Sequence, residues 1–259
     1  MTVASVALAL CAFVYPCAST GSSGTRTPVA LTAAPARVVL TGTTRMPVRV
    51  TNSGSKRVVV DVSRAGYPLT LRGRPRIVRT RRSRSAAAWL SLRPRRLALP
   101  AHTSASLLLS ATVPRKAEPG DHDALVLLTT QPSGAARVAV RARLGVVVVV
   151  QVPGKIIRRL RLRGLRVDRR GGHRLLELRV ANRGNVTETL SRIRVSVVRA
   201  RTGRRLATLV ASMREVRPHT QAIVEFRYRR ALRGAVSARV VIPAVSGRSA
   251  VRRTYSIRL

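Results

Sequence analysis

Side chains capable of acid–base or metal chemistry are scarce in this chain of 259 residues, which has nine Asp and Glu residues and four His. One segment, EPGDHD from Glu118 to Asp123, brings carboxylates and an imidazole together. Asp121, His122 and Asp123 could supply the oxygen and nitrogen ligands of a metal ion. However, the Pro-Gly pair in this segment is typical of a turn, where charged side chains are usually solvated. We therefore expect no metal and no cofactor.

The histidines and the known catalytic spacings do not indicate an enzyme. His102 and His219 lie in two similar segments, PAHTSASLLLSATV and RPHTQAIVEFRYR, which suggests equivalent structural positions. The sequence contains no G-x-S-x-G, H-E-x-x-H, C-x-x-C or P-loop spacing. We therefore predict that the protein is not an enzyme.

Arginine is the abundant side chain, since 50 Lys and Arg residues give a formal net charge of +41. The segment RGRPRIVRTRRSRS lacks the alternation of a buried strand, so we interpret it as an exposed loop of the first half. Guanidinium groups bind phosphates and carboxylates through paired hydrogen bonds. The candidate ligand-binding residues, for an anionic cell-wall polymer, are Arg72, Arg74, Arg76, Arg79, Arg81, Arg82 and Arg84. The Arg-favouring codons of a GC-rich genome would produce the same loop without a ligand.

A second concentration of arginine alternates with leucine from Leu160 to Arg163, which predicts a strand with guanidinium groups on one face. Such a face could hold a wall polymer or nucleic acid. Only 3% of residues are aromatic, so a base-stacking platform is hard to build. The predicted partner is therefore an anionic cell-wall polymer or a surface protein, and not nucleic acid.

These residues follow an apolar N-terminal segment with the features of an export signal. The run VASVALALCAFVY, from Val3 to Tyr15, is followed by small residues, so we predict a signal peptide at 1–19 and a flexible linker at 20–28. Both cysteines, Cys11 and Cys17, lie inside it, so the mature chain would have no disulfide. No later segment has the 18 or more apolar residues that a transmembrane helix needs. We expect a secreted bacterial protein associated with the cell envelope.

The rest of the sequence consists of short apolar runs, including AAAWLSLRP and LGVVVVVQV, separated by Gly, Pro, Asn and Ser. About seven such runs in each half predict an all-β fold. The segment VRVTNSGS at 48–55 recurs as LRVANRGN at 178–185, and the two Pro-His-Thr segments follow in the same order. An ordered repeat favours two tandem immunoglobulin-like β-sandwich domains, at 29–153 and 154–259.

The segments WLSLRPRRLALPAHTSASLLLSATVP, EPGDHDALVLLTT, VVVVVQVPG and LRVANRGNVTE resemble the extracellular region of the WxL-interacting-protein family and its actinobacterial relatives. The resemblance covers about Leu31 to Tyr228. It implies two immunoglobulin-like domains at a Gram-positive cell surface, the first binding peptidoglycan and the second a host or partner protein. Members usually end in a transmembrane helix and a basic tail, whereas this sequence ends in the strand-like TYSIRL.

Two functions remain open from the sequence. The first is a secreted, non-enzymatic protein that binds a cell-wall polymer or a surface protein through its tandem domains. The alternative is a pilus-type assembly chaperone that holds extended subunit strands by β-strand addition.

Overall fold

A computed structural model of the protein describes residues 30–42, 44–78, 86–131, 141–228, 232, 234–245 and 247–259. The predicted signal peptide and the linker at 20–28 lie outside the described residues. The described part of the first half contains a short helix, α1 (Ala86–Trp89), and the strands β1 (Leu31–Ala34), β2 (Arg37–Thr41), β3 (Met46–Asn52), β4 (Val58–Ala65), β5 (Leu90–Arg93), β6 (Arg96–Leu99), β7 (Ser104–Ala111), β8 (Gly120–Thr130) and β9 (Arg143–Val152). The second half contains β10 (Leu160–Arg170), β11 (His173–Asn182), β12 (Glu188–Leu190), β13 (Arg194–Arg199), β14 (Arg205–Val210), β15 (Arg214–Val216), β16 (Gln221–Tyr228), β17 (Ala235–Ile242) and β18 (Val251–Arg258).

The first half packs a four-stranded sheet, in the order β1-β3-β7-β5, against a five-stranded sheet, in the order β2-β9-β8-β4-β6. The strands pair antiparallel except that β2 runs parallel to β9. Alternating side chains of both sheets meet in one core, in which Val50, Leu109, Val126 and Val148 are fully buried. Because β1 and β2 are consecutive but belong to different sheets, the beginning of this sandwich crosses from one sheet to the other.

The second half is built on the same principle from three-stranded (β10-β11-β16), two-stranded (β12-β15) and four-stranded (β14-β13-β17-β18) sheets. Its separate core includes Leu176, Val195, Phe226 and Val240, all fully buried. The predicted all-β class with two β-sandwiches is confirmed. The limits 29–153 and 154–259 stay a prediction.

Asn52 explains the first copy of the sequence repeat. This residue ends β3 and is fully buried. Its side-chain Nδ2 donates hydrogen bonds to the carbonyls of Lys56 at 2.8 Å and Pro100 at 2.9 Å, and its Oδ1 accepts from the Gly54 N–H at 3.0 Å. The amide therefore bonds the turn after β3 to the neighbouring turn before β7.

Asn182 makes the same arrangement in the second sandwich. Its Nδ2 donates to the carbonyls of Val186 at 2.8 Å and Val216 at 2.9 Å, and its Oδ1 accepts from the Gly184 N–H at 2.8 Å. His102 and His219, in the Pro-His-Thr segments, both have a positive φ of 55°. The predictions that the two asparagines lie in equivalent turns and that the two histidines are structurally equivalent are confirmed.

Two local predictions require correction. Ala86–Trp89 forms a single helical turn instead of the beginning of a strand, which fits the high helix propensity of its three alanines. Gly120 is the first residue of β8, so Asp121, His122 and Asp123 lie on a strand and not in a turn. In contrast, the alternation at Leu160–Arg163 is confirmed, with the leucines buried and the arginines exposed.

Candidate functional site

The five-stranded sheet leaves part of one strand edge unpaired. β2 runs beside β9 only from Val147 to Gln151, whereas β9 begins at Arg143. On its other side, β9 pairs with β8 along its whole length. Within the described ranges, no strand is hydrogen-bonded to residues 143–146 on the β2 side, although β1 passes close to β9 on its way into the other sheet. We call residues 143–146 the open edge.

The backbone of the open edge points its hydrogen-bonding groups outward. The Val147 N–H donates to the Ala36 carbonyl at 2.9 Å, so the peptide groups of Val147 face β2. In a strand, the N–H and C=O of every second residue point to the same side. The N–H and C=O of Arg143 and Gly145 therefore face the same side, beyond the beginning of β2. They can pair with a further strand that continues the line of β2.

Gly145 makes the open edge accessible. It is exposed and lies directly opposite Leu127 of β8. A Cβ atom there would come within 3.1 Å of Leu125 Cδ1. Leu125 and Leu127 belong to a small apolar cluster with Ala65 on the outer face of this sheet. A glycine within an apolar strand permits the close approach of another backbone, and here the apolar cluster lies beside it.

A mixed-charge junction joins the two sandwiches next to β8. Arg217, which is 8% exposed, lies 3.2 Å from Asp123 and 4.1 Å from the centre of the Tyr67 ring, and it donates to the Tyr67 carbonyl. Burial raises the pKa of Asp123 above its usual value, while the Arg217 charge opposes this shift. His219 lies 2.9 Å from Glu118. The junction contains a cavity of about 460 Å³, but these charged groups pair with one another across it.

The segment EPGDHD serves this junction. The Asp121 N–H donates to the Asn185 carbonyl at 2.8 Å, and the Asp121 carboxylate accepts from the Thr187 N–H at 2.8 Å. Among the residues that the structure describes, no three His, Cys, Asp or Glu side chains are grouped so as to hold a metal ion. Asp121 and Asp123 thus contact the second sandwich.

Arg72, the first of the predicted ligand-binding arginines, contacts carboxylates of the same chain. It lies 2.5 Å from Glu177, 3.2 Å from Glu225 and 3.5 Å from Asp168, all in the second sandwich. The Glu177 side chain is only 1% exposed and faces Glu225 across the β11–β16 pair. Two facing carboxylates repel each other, so the Arg72 cation stabilises them. The Arg72 guanidinium therefore has carboxylate partners within the chain.

The other predicted arginines differ from Arg72. Arg74 and Arg76 are exposed and make no ion pair with any described residue. The remaining four predicted residues lie outside the described part of the chain: Arg79, Arg81, Arg82 and Arg84. A role of these six arginines and of Arg72 in binding a wall polymer stays a prediction. Sequence reasoning did not find the open edge, although Gly145 within an apolar strand was a usable signal.

Comparisons with known proteins bear on the fold. No family model and no curated protein matches the chain. A solved chaperone–tip adhesin complex of CFA/I fimbriae biogenesis has a TM-score of 0.50 and 12% sequence identity, and the match covers 87% of this chain and 98% of that chain.

Two further solved structures have TM-scores of 0.49. The YadV chaperone is 11% identical, with 88% of this chain and 99% of that chain covered. A chain of the CsuC–CsuE chaperone–tip subunit complex from Acinetobacter baumannii is 13% identical, with 86% and 97% covered. In the described part of the chain, no helix is long and apolar enough to cross a membrane.

The likeness to the CFA/I complex supports the immunoglobulin-like β-sandwich fold that the sequence predicts. Membership of the WxL-interacting-protein family stays a prediction. At such low identity the comparison concerns the fold alone, so the function has to be argued from the open edge.

Proposed function

We propose that the protein is an exported, non-enzymatic binding protein that holds an extended segment of another protein at the open edge, in the manner of an assembly chaperone. The bound segment would add a strand to the five-stranded sheet beside β9, in line with β2. Strand addition obtains its affinity from main-chain hydrogen bonds and its specificity from alternating side chains.

The observation that carries this proposal is the unequal length of β2 and β9. β2 pairs with five residues of β9, from Val147 to Gln151, and the peptide groups of Arg143 and Gly145 continue the same edge. Exposed strand edges are commonly blocked by bulges, proline or covering loops. Here the described edge is a regular strand with a glycine at its centre. The solved chaperone–tip adhesin complex has a similar fold, which is compatible with this proposal but does not carry it.

Proline substitution tests the proposal directly. Arg143→Pro removes an N–H that points toward the incoming strand, and proline is tolerated at the first residue of a strand. We expect this variant to fold normally and to lose its partner, whereas Arg143→Gln, which keeps the N–H, retains it. Leu144→Pro is the structural control, because the Leu144 N–H faces β8 and its loss removes a hydrogen bond from the β8–β9 ladder, so this variant should be less stable.

The assay is photo-cross-linking in the producing cell, with a benzophenone amino acid at Arg143 and, as the control position, at Arg115 in the loop before β8. Mass spectrometry of the cross-linked peptides should identify partner segments with alternating apolar residues at Arg143 only. Co-purification of that partner is then compared for Arg143→Pro and Arg143→Gln. Equal cross-linking at both positions, or equal co-purification by both variants, would contradict strand addition.

A further inference from the structure

The outward face of the four-stranded sheet in the second sandwich carries three arginines close together. Val195, Val197, Ala238 and Val240 of β13 and β17 are buried, so the alternate residues of these strands point outward. Val241 of β17 lies opposite Arg194 of β13 and Arg252 of β18. Two residues along β17, Arg239 lies opposite Ser196 of β13 and Thr254 of β18. We define the arginine face by these residues: Arg194, Ser196, Ser237, Arg239, Arg252 and Thr254.

The register determines the spacing of the three cations. Arg239 lies on the central strand, and each of Arg194 and Arg252 lies diagonally from it on a neighbouring strand. Diagonal neighbours in a sheet are about 7–8 Å apart. All three side chains are exposed. They therefore form a compact triangle of guanidinium groups on an almost flat surface.

No carboxylate neutralises this triangle. All nine acidic residues of the chain lie in its described part, and none is on β13, β14, β17 or β18. None of the nine lies within 4 Å of a basic group of Arg194, Arg239 or Arg252. The outward face of the three-stranded sheet is different, since Arg166 and Arg170 there pair with Glu177. The arginine face thus has unpaired positive charge that attracts an external anion.

The groups around the cations favour phosphate. A depression of about 480 Å³ on this face is lined by Ser237, Arg239, Arg252 and Thr254 among others. Guanidinium and hydroxyl groups supply convergent donors for the oxygen atoms of phosphate. The arginine face has no aromatic side chain on which a base could stack. The chemistry therefore suits a polymer that carries phosphates but no bases.

We infer that the arginine face binds a linear, phosphate-bearing polymer without bases, of the kind found in a cell envelope. The predicted export signal at 1–19 would bring the protein to such a polymer. This site is independent of the proposed function, because the open edge belongs to the first sandwich and the arginine face to the second. One molecule could therefore hold a protein segment while it is retained at an anionic surface.

The test measures binding of fluorescently labelled inorganic polyphosphate to the mature chain over a range of salt concentrations. The variant Arg194→Gln/Arg239→Gln/Arg252→Gln removes the triangle. The matched control, Arg57→Gln/Arg95→Gln/Arg115→Gln, removes the same charge from exposed loops of the first sandwich. Circular dichroism melting checks that both variants remain folded.

Each phosphate contact contributes about 0.7 to the slope of log K against log salt for a flexible polyanion, so three contacts contribute about 2. For the arginine-face variant, the slope of log K against log salt should fall by about 2, and its binding to polyphosphate should be about 100-fold weaker near 0.1 M salt. The binding constant of the control variant should change by less than about threefold. Equal losses in both variants would overturn the inference in favour of a general positive field. Tighter binding of oligo(dT) than of polyphosphate would also overturn it, in favour of nucleic acid.

Discussion

Replacing Asn182 with alanine tests whether the repeated asparagine holds the second sandwich together. The substitution leaves three backbone groups without their partner: the carbonyls of Val186 and Val216 and the N–H of Gly184. Asn182 is 1% exposed, so water cannot easily replace its amide. A buried polar group without a partner costs about 1–3 kcal/mol. We therefore expect Asn182→Ala to lower the free energy of unfolding by about 3 kcal/mol or more.

Urea denaturation provides the measurement. For an m-value of about 2 kcal/mol per molar urea, the expected loss lowers the unfolding midpoint by about 1.5 M. The only tryptophan of the chain, Trp89, is in the first sandwich, so its fluorescence reports that sandwich while far-ultraviolet circular dichroism reports both. Asn52→Ala should shift the fluorescence transition, and Asn182→Ala should shift the part of the dichroism transition that fluorescence does not follow.

The neighbouring Arg183 is exposed and provides the control. Arg183→Gln should change the unfolding free energy by no more than about 0.5 kcal/mol, as surface substitutions usually do. Because Asn52 and Asn182 contact different cores, their losses should add within about 0.5 kcal/mol in the double variant. A loss below about 1 kcal/mol for Asn182→Ala would refute the view that these hydrogen bonds stabilise the turn.

Two further predictions concern the junction. Gly120 has a φ of +117°, and a Cβ atom there would lie 1.9 Å from the Asn185 carbonyl oxygen, so Gly120→Ala should separate the two sandwiches. Small-angle scattering of this variant should show a larger radius of gyration. An unchanged radius would contradict the contact. Burial raises the pKa of Asp123, so the Asp123 carboxylate binds a proton more tightly in the folded state than in the unfolded state. The contribution of this carboxyl to the free energy of unfolding therefore grows as the pH falls through its folded pKa. Carboxyl ¹³C NMR should find the pKa of Asp123 above the usual value of 3.8. It should find the pKa of Asp61, whose carboxylate accepts hydrogen bonds from Gln131 and Arg96, below that value. The reverse order of the two pKa values would contradict the assignment.

Features that depend on local pattern were predictable from the sequence. Alternating apolar residues identified the strands, and Asn-x-Gly identified the equivalent turns, because the Asn52 and Asn182 side chains bond the backbone two residues ahead. The buried strand LGVVVVVQV was predicted for the same reason, since β-branched residues suit a strand with both faces covered.

Features that depend on distant pairing were not predictable. The contact of Arg72 with Glu177 joins residues 105 positions apart, and nothing in the Arg-rich segment itself indicates carboxylate partners. The open edge exists because β2 is shorter than β9 and changes sheets after β1, which no local periodicity reveals. Asp121 and Asp123 were misplaced because β8 begins at Gly120, inside the Pro119-Gly120 pair that usually signals a turn.

The parallel pairing of β2 with β9 also determines the order in which the first sandwich forms. Arg37 lies beside Val147, so the five-stranded sheet closes a loop of about 110 residues. Contacts between residues so far apart form late, because the entropy of the intervening chain is lost before the contact stabilises the structure. The beginning of the chain must therefore wait, unpaired on this side, until β9 has been synthesised. From then until β2 pairs with it, β9 has the whole of that edge free, and β2 becomes the first strand to occupy it.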